Sequence, residues 1–166
     1  MKALEVFIRP AQEDDLPALE WGGEYRRYRR LYQRAMREAH QGRRALFVAE
    51  VGGEIVGQIF VQFVCNRPEL NDKSSTGYIQ SFRIKPPFRN FGIGTRLIHQ
   101  AEDVLRERGF HQAIIAVAQQ NRAARRLYER LGYTVFAEDP GQWSYVDDHG
   151  QLKYVSEPNY LLRKQL

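Results

Sequence analysis

"FRIKPPFRNFGIGTRLIHQAEDVLRERG" runs from residue 82 to residue 109, and its reading decides the fold. Phe82 and Ile84 close a strand-like stretch. From Thr95 onward, Leu97, Ile98, Ala101, Val104 and Leu105 form an apolar stripe at helical spacing, ended by Gly109. A strand therefore hands over to a helix across Pro86, Pro87, Arg89 and the pair Gly92 and Gly94. The first amides of a helix have no intrahelical acceptor and sit at the positive end of its dipole. Glycines at that point remove the side chains that would keep an anion away from those amides. The turn reads as a phosphate cradle, with Phe91 and Ile93 directed away from it and Arg89 placed to add a charge-assisted contact.

Upstream, "EVFIRPA" predicts a first strand stopped by Pro10, and residues 11–23 predict a short helix with acids in its first turn. An amphipathic helix follows up to Gly42, with Tyr25, Tyr28, Tyr32, Ala35, Met36 and Ala39 on one side. Residues 45–51 and 54–64 read as a hairpin around Gly52 and Gly53, residues 65–75 as a polar loop, and residues 76–85 as a further strand. Downstream, "HQAIIAVAQQ" suits a buried central strand. "NRAARRLYERLGY" reads as a helix capped by Asn121 and closed by Gly132. The tail holds two or three strands separated by "EDPG" and "DDHG" turns, its aromatic residues Trp143, Tyr145, Tyr154 and Tyr160 expected in the sheet core. This order predicts an α/β domain on a mixed sheet, antiparallel early and with a strand–helix–strand crossover later.

The 166 residues fit one domain over 1–166, and a composition 43% hydrophobic and 27% charged excludes a disordered chain. No run of eighteen apolar residues exists to form a membrane-spanning helix, and "MKALEVFIRPAQEDD" meets charge too soon for a secretory signal. The single cysteine, Cys65, cannot form an internal disulfide. Together these predict a cytoplasmic protein with no membrane partner. The formal net charge of +5 is concentrated: residues 24–44 carry eight arginines against Glu24 and Glu38, a net of +6. Such a segment is either a solvated helix face or a basic rim for an anionic ligand or nucleic acid. His40, His99, His111 and His149 lack zinc-ligand spacing, so no metal is expected.

Three phosphate-binding patterns compete for the glycine turn. A Walker loop needs Gly-Lys-Ser/Thr, but Thr95 and Arg96 follow Gly94. A dinucleotide fingerprint needs glycine or alanine where Leu97 stands and an acid on the next strand, and residues 110–118 hold none. "RNFGIG", Arg89 to Gly94, instead resembles the Arg/Gln-x-x-Gly-x-Gly/Ala pattern of the GNAT superfamily of acetyl-CoA-dependent N-acyltransferases. "NRAARRLYERLGY", Asn121 to Tyr133, resembles that family's second signature, an asparagine, an alanine and Leu-Tyr-x-x-x-Gly-Tyr/Phe. The order of elements agrees over nearly the whole chain.

The resemblance implies a three-layer fold with a mixed central sheet of about six to seven strands and helices on both faces. It implies acetyl transfer from acetyl-CoA to a primary amine of a small molecule or protein, by direct attack in a ternary complex. It places the coenzyme's pyrophosphate on Arg89, Asn90, Phe91, Gly92, Ile93, Gly94 and Thr95, and its pantetheine arm beside Phe82, Arg83 and Ile84. Asn121 would touch the cofactor as well, and Tyr128 would protonate the leaving thiolate. The two strands flanking the site would splay apart, and dimers are known in the family. Relatives often carry an acid as general base where Gln80 or Ala116 stands here, so the base stays open among Glu69, Asp72, a water chain and an amine that arrives neutral. The competing class is an acyl-CoA-sensing or nucleic-acid-binding module that uses the basic helix 24–44. Nucleic acid is the less expected partner, since that helix carries no recognisable reading motif.

Overall fold

A seven-stranded sheet carries the chain, and its order follows from local hairpins followed by crossovers. The computed structural model describes residues 4–63 and 75–166. Strands β1 (Phe7–Pro10), β2 (Arg44–Val51), β3 (Glu54–Gln62) and β4 (Thr76–Ile84) pair antiparallel in sequence order. The β2–β3 hairpin turns at Gly52 and Gly53, whose φ values of 57° and 82° suit glycine. Next come α2 (Ile93–Glu107) and β5 (Gln112–Ala118), the latter parallel to β4, then α3 (Arg122–Arg130) and β6 (Thr134–Asp139). The last strand, β9 (Asn159–Gln165), inserts antiparallel between β5 and β6, giving the order β1-β2-β3-β4-β5-β9-β6.

Two helical layers cover the sheet. On one face α2 and α3 bury Ile93, Leu97, Ile98, Ala101, Leu105 and Tyr128 against Val56, Ile79, Ile115 and Leu162. α2 approaches β4 closely because residue 77 has no side chain: a Cβ there would lie 2.1 Å from Leu105 Cδ2. On the other face a 3-10 helix over Glu13–Gly23 and α1 (Arg29–His40) bury Leu19, Tyr32, Ala35 and Met36 against Leu46, Val48 and Phe60. A buried Glu102 ties the first layer to the sheet, accepting hydrogen bonds from Tyr133 Oη at 2.8 Å and Lys164 Nζ at 3.0 Å. The expected three-layer α/β architecture is present.

The details depart from expectation in three places. The helix over Glu13–Gly23 is 3-10, with Pro17 inside it and left-handed backbone at Trp21 and Gly22. α2 starts at Ile93, two residues before Thr95, because Gly92 turns the chain with φ 79°. The tail holds four strands: β7 (Gln142–Val146) and β8 (Leu152–Ser156) form a separate two-stranded sheet. A lone ribbon has a layer on one side only, so Tyr145 is buried while Trp143 is 43% and Tyr154 80% exposed. The tail aromatics therefore do not all join the core. The expected loop over 65–75 lies, except for Ser75, outside the described residues, as do Cys65, Glu69 and Asp72.

Candidate functional site

Strands β4 and β5 part company half-way along. Their parallel ladder joins Thr76 to Gln112 and ends at Ile79 and Ile115, although β4 continues to Ile84 and β5 to Ala118. The cause is local. Against β3, Gln58 faces Arg83 and Phe60 faces Gln80, so β4 holds one residue more than its partner over this stretch. Ser81, inside that bulge, has φ 51°, and an extra residue bends a strand away from its neighbour. Beyond Ile115, β5 pairs only with β9. A cleft opens between the two strands at Gln80, directly below the glycine turn.

At the top of β4 the chain passes through a short 3-10 turn, Pro86–Phe88, into α2. Asn90 and Gly92 both take left-handed backbone, φ 67° and 79°. Gly92 is the N-cap of α2, and no side chain caps that end. The first-turn amides of Ile93, Gly94 and Thr95 are thus left to an outside acceptor, under the positive end of a fifteen-residue helix. A Cβ at Gly92 would meet nothing within 4 Å, so that glycine faces open space. Gly94 differs from expectation: a Cβ there would lie 3.0 Å from Phe82 Cζ, so its bareness serves the packing of Phe82. Ile93 is buried in the core and Phe91 is 57% exposed. Arg89 is exposed, and its Nε donates to Ile84 O at 2.9 Å, bracing the turn.

Helix α3 closes the other side. Asn121 caps it, Oδ1 accepting from Ala124 N at 3.2 Å. Tyr128 is 5% exposed, its ring 6.1 Å from Phe82 and 6.4 Å from Tyr133. Burial pushes its phenol well above the ordinary range, so it is a neutral proton donor at any physiological pH. Among the described residues no group takes a hydrogen bond from its hydroxyl.

The opposite face of β4 is polar and aromatic. Gln80 Nε2 donates to Gln62 Oε1 and Arg44 Nη1 donates to Gln80 Oε1, both at 2.9 Å. Arg44 and Arg34 in turn hold the Glu38 carboxylate. Burial opposes ionisation of Glu38, but these hydrogen bonds outweigh it and keep its pKa below the usual carboxylate range. Gln80 is therefore an amide fixed at the cleft and offers no basic site, and Ala116 across the cleft carries no polar group. Further up β4, Arg83 stacks on Tyr25 at 3.4 Å, between Trp21 and Tyr32. The sequence reading used only the main chain of Arg83 and missed this pocket; the available signal was the tyrosine spacing after Trp21-Gly22-Gly23.

Comparison with known proteins places this chain in a family. A sequence model of the Acetyltransferase (GNAT) family covers residues 8–133. The chain belongs to that family. An uncharacterised N-acetyltransferase of Methanocaldococcus jannaschii is 37% identical over 87 residues, 52% of this chain and 38% of that protein. The N-alpha-acetyltransferase 30 of Schizosaccharomyces pombe is 30% identical over 120 residues, 72% of this chain and 76% of that protein. The chain thus spans well under half the length of the first relative and about three quarters of the second. Among solved structures, the PaiA N-acetyltransferase of Thermoplasma acidophilum in complex with coenzyme A superposes with a TM-score of 0.71 at 16% identity, covering 98% of this chain and 99% of that one.

Within this GNAT fold, the residues singled out by sequence fall into two groups. Arg89 through Thr95 form the turn, and Phe82, Tyr128 and Gly94 meet on the α2–α3 face of β4. Asn121 sits at the start of α3 and Arg83 on the far face of β4. No cluster of three His, Cys, Asp or Glu side chains that could hold a metal occurs among the described residues.

Proposed function

We propose that the chain transfers acetyl from acetyl-CoA to a primary amine within a ternary complex. The observation that carries this is the coincidence of the uncapped α2 terminus with the β4–β5 cleft. The first is suited to a diphosphate and the second to a narrow pantetheine arm. Arg89 to Thr95 hold the diphosphate through main-chain donors. The free edge of β4 around Phe82, Arg83 and Ile84 pairs with the arm, and Asn121 flanks it. The amine nitrogen attacks the thioester carbon, a C–N bond forms and the C–S bond breaks. Tyr128 delivers its hydroxyl proton to the departing sulfur, whose parent thiol has a pKa of about 8.5, and the proton shed by the attacking nitrogen passes through water to restore the phenol. Holding amine and thioester in line supplies much of the rate. Neither Gln80 nor Ala116 is a base, so these two positions do not deprotonate the amine, which in this proposal arrives as its free base.

The acceptor is an amine of a small molecule or a protein; family membership and the S. pombe relative's name support the amine class. The test is incubation with acetyl-CoA and an amine panel, following thiol release. Turnover with at least one amine, reduced in Tyr128→Phe, supports the proposal. An unchanged rate in that variant removes Tyr128 from its role, and acetyl-CoA binding no tighter than millimolar removes the reaction.

A further inference from the structure

The Arg83 side chain stands apart from the other arginines around the sheet. Arg9, Arg29 and Arg44 pair with Asp15, Glu20 and Glu38, while Arg89 donates to a main-chain carbonyl. Arg83 has no carboxylate partner among the described residues. Its guanidinium is walled by Trp21, Tyr25 and Tyr32, donates to Tyr32 Oη, and leaves Nε buried with no acceptor. The adjacent Glu20 does not neutralise it, being turned to Arg29 through Nε at 2.8 Å and Nη2 at 2.9 Å. Of the five N–H donors a guanidinium carries, one goes to Tyr32 Oη and the buried Nε–H meets no acceptor. Ring faces attract its charge but accept none of its in-plane hydrogen bonds.

The pocket around it is built at a cost. Trp21 takes left-handed backbone, φ 49° and ψ 49°, a conformation that bulky residues adopt under constraint and that recurs at ligand clamps. Its placement also matters. Gln80 marks where the cleft opens, and three residues of strand put Arg83 on the order of 10 Å further along. Phe82 and Tyr128 lie on the opposite face of β4, toward α2 and α3, whereas Arg83 faces the α1 side.

We propose that the acceptor carries a carboxylate, and that Arg83 in its aromatic pocket is the group that receives it. The inference rests on acetyl transfer at the cleft and names the acceptor's chemical class. Arg83 is then a specificity-determining residue. It leaves the acetyl group alone and selects which amine reaches it.

Matched pairs test this: C-terminally amidated tripeptides beginning with glutamate or glutamine, and β-alanine against β-alaninamide. The expected result is a kcat/KM about tenfold or more higher for the acid of at least one pair, the size of one charge-assisted hydrogen bond. That preference should collapse toward unity in Arg83→Met and return in part in Arg83→Lys. Preference in the tripeptide pair assigns the carboxylate to an acidic side chain; preference in the other assigns it to a small amino acid. Turnover of acids and amides alike, or a preference that survives Arg83→Met, overturns the proposal while leaving acetyl transfer intact. A second readout needs no turnover. In a Trp143→Phe background, Trp21 emission should change on titration with the glutamate tripeptide or β-alanine and not with their amides. Absence of that acid-specific change, or its persistence in Arg83→Met, also overturns it. Failure of acetyl-CoA itself to bind, by calorimetry, marks instead the failure of the transfer reaction.

Discussion

In the proposed reaction Tyr128 is the group that protonates the leaving sulfur. Its hydroxyl is held neutral by burial, so Tyr128→Phe should lower kcat by on the order of 10²-fold, with little change in the KM for acetyl-CoA. The same burial has a consequence for stability. Tyr133 is pushed up too, first by burial and then by Glu102, which its hydroxyl must keep as a hydrogen-bond partner. Both folded-state values exceed the unfolded phenol value of about 10. Their contribution is therefore complete below about pH 10 and is lost as pH rises through the folded values. Urea unfolding should give a flat stability up to about pH 10 and a decline above it, shallower in Tyr133→Phe. At the turn, Gly92→Ala meets no steric neighbour, yet φ 79° costs a side chain about 1–2 kcal/mol, visible as a lower urea midpoint.

Elements were legible in the sequence where periodicity or punctuation carried them. The 52–53 hairpin, the apolar β5 strand and the α3 helix with its Asn121 cap all stand where pattern put them. The bulge at Ser81 was not legible, because nothing in "YIQSF" marks an extra residue; it emerges only when β3 and β4 are paired. The β7–β8 ribbon was hidden for a related reason. Its aromatics look like core residues, and only the position of β9 in the main sheet shows that the ribbon has been left outside. The first 3-10 helix depends on an ion pair: Arg9 donates to Asp15 Oδ2 at 2.7 Å and Oδ1 at 2.9 Å, fastening the helix to β1. That hydrogen bonding from Arg9 holds the Asp15 carboxyl below its ordinary range, as Arg44 and Arg34 do for Glu38. With folded values depressed, this stability is present above about pH 4 and lost as pH falls through the folded values. Asp15→Asn should cost about 1–3 kcal/mol at pH 7, a cost that shrinks as pH falls below about 4, measured by urea unfolding.

For the whole molecule, the sequence conveyed the family and the uncapped glycine turn at the start of α2, because glycine punctuation and helix capping are local. The aromatic pocket around Arg83 was opaque, because it is assembled from α1, β4 and the early 3-10 helix, which no local spacing brings together. The basic segment 24–44 is partly absorbed by this assembly: Arg29, Arg34 and Arg44 each hold a carboxylate. Duplex DNA should accordingly show weak binding with a shallow salt slope; a steep slope would favour the nucleic-acid reading. If the amine arrives as its free base, log kcat/KM should rise with unit slope up to the pKa of the amine itself, about 7.7–8.0 for an α-amine and 10.4 for a lysine. An inflection independent of the amine would reveal a base on the protein.

The central claim is that the amides at the start of α2 bind a diphosphate, and calorimetry tests it most directly. Acetyl-CoA should bind in the micromolar range, and S-acetylpantetheine, which keeps the thioester arm but lacks the diphosphate, about 10²-fold or more weaker. Equal affinity for the two, or no affinity for either, would contradict the account.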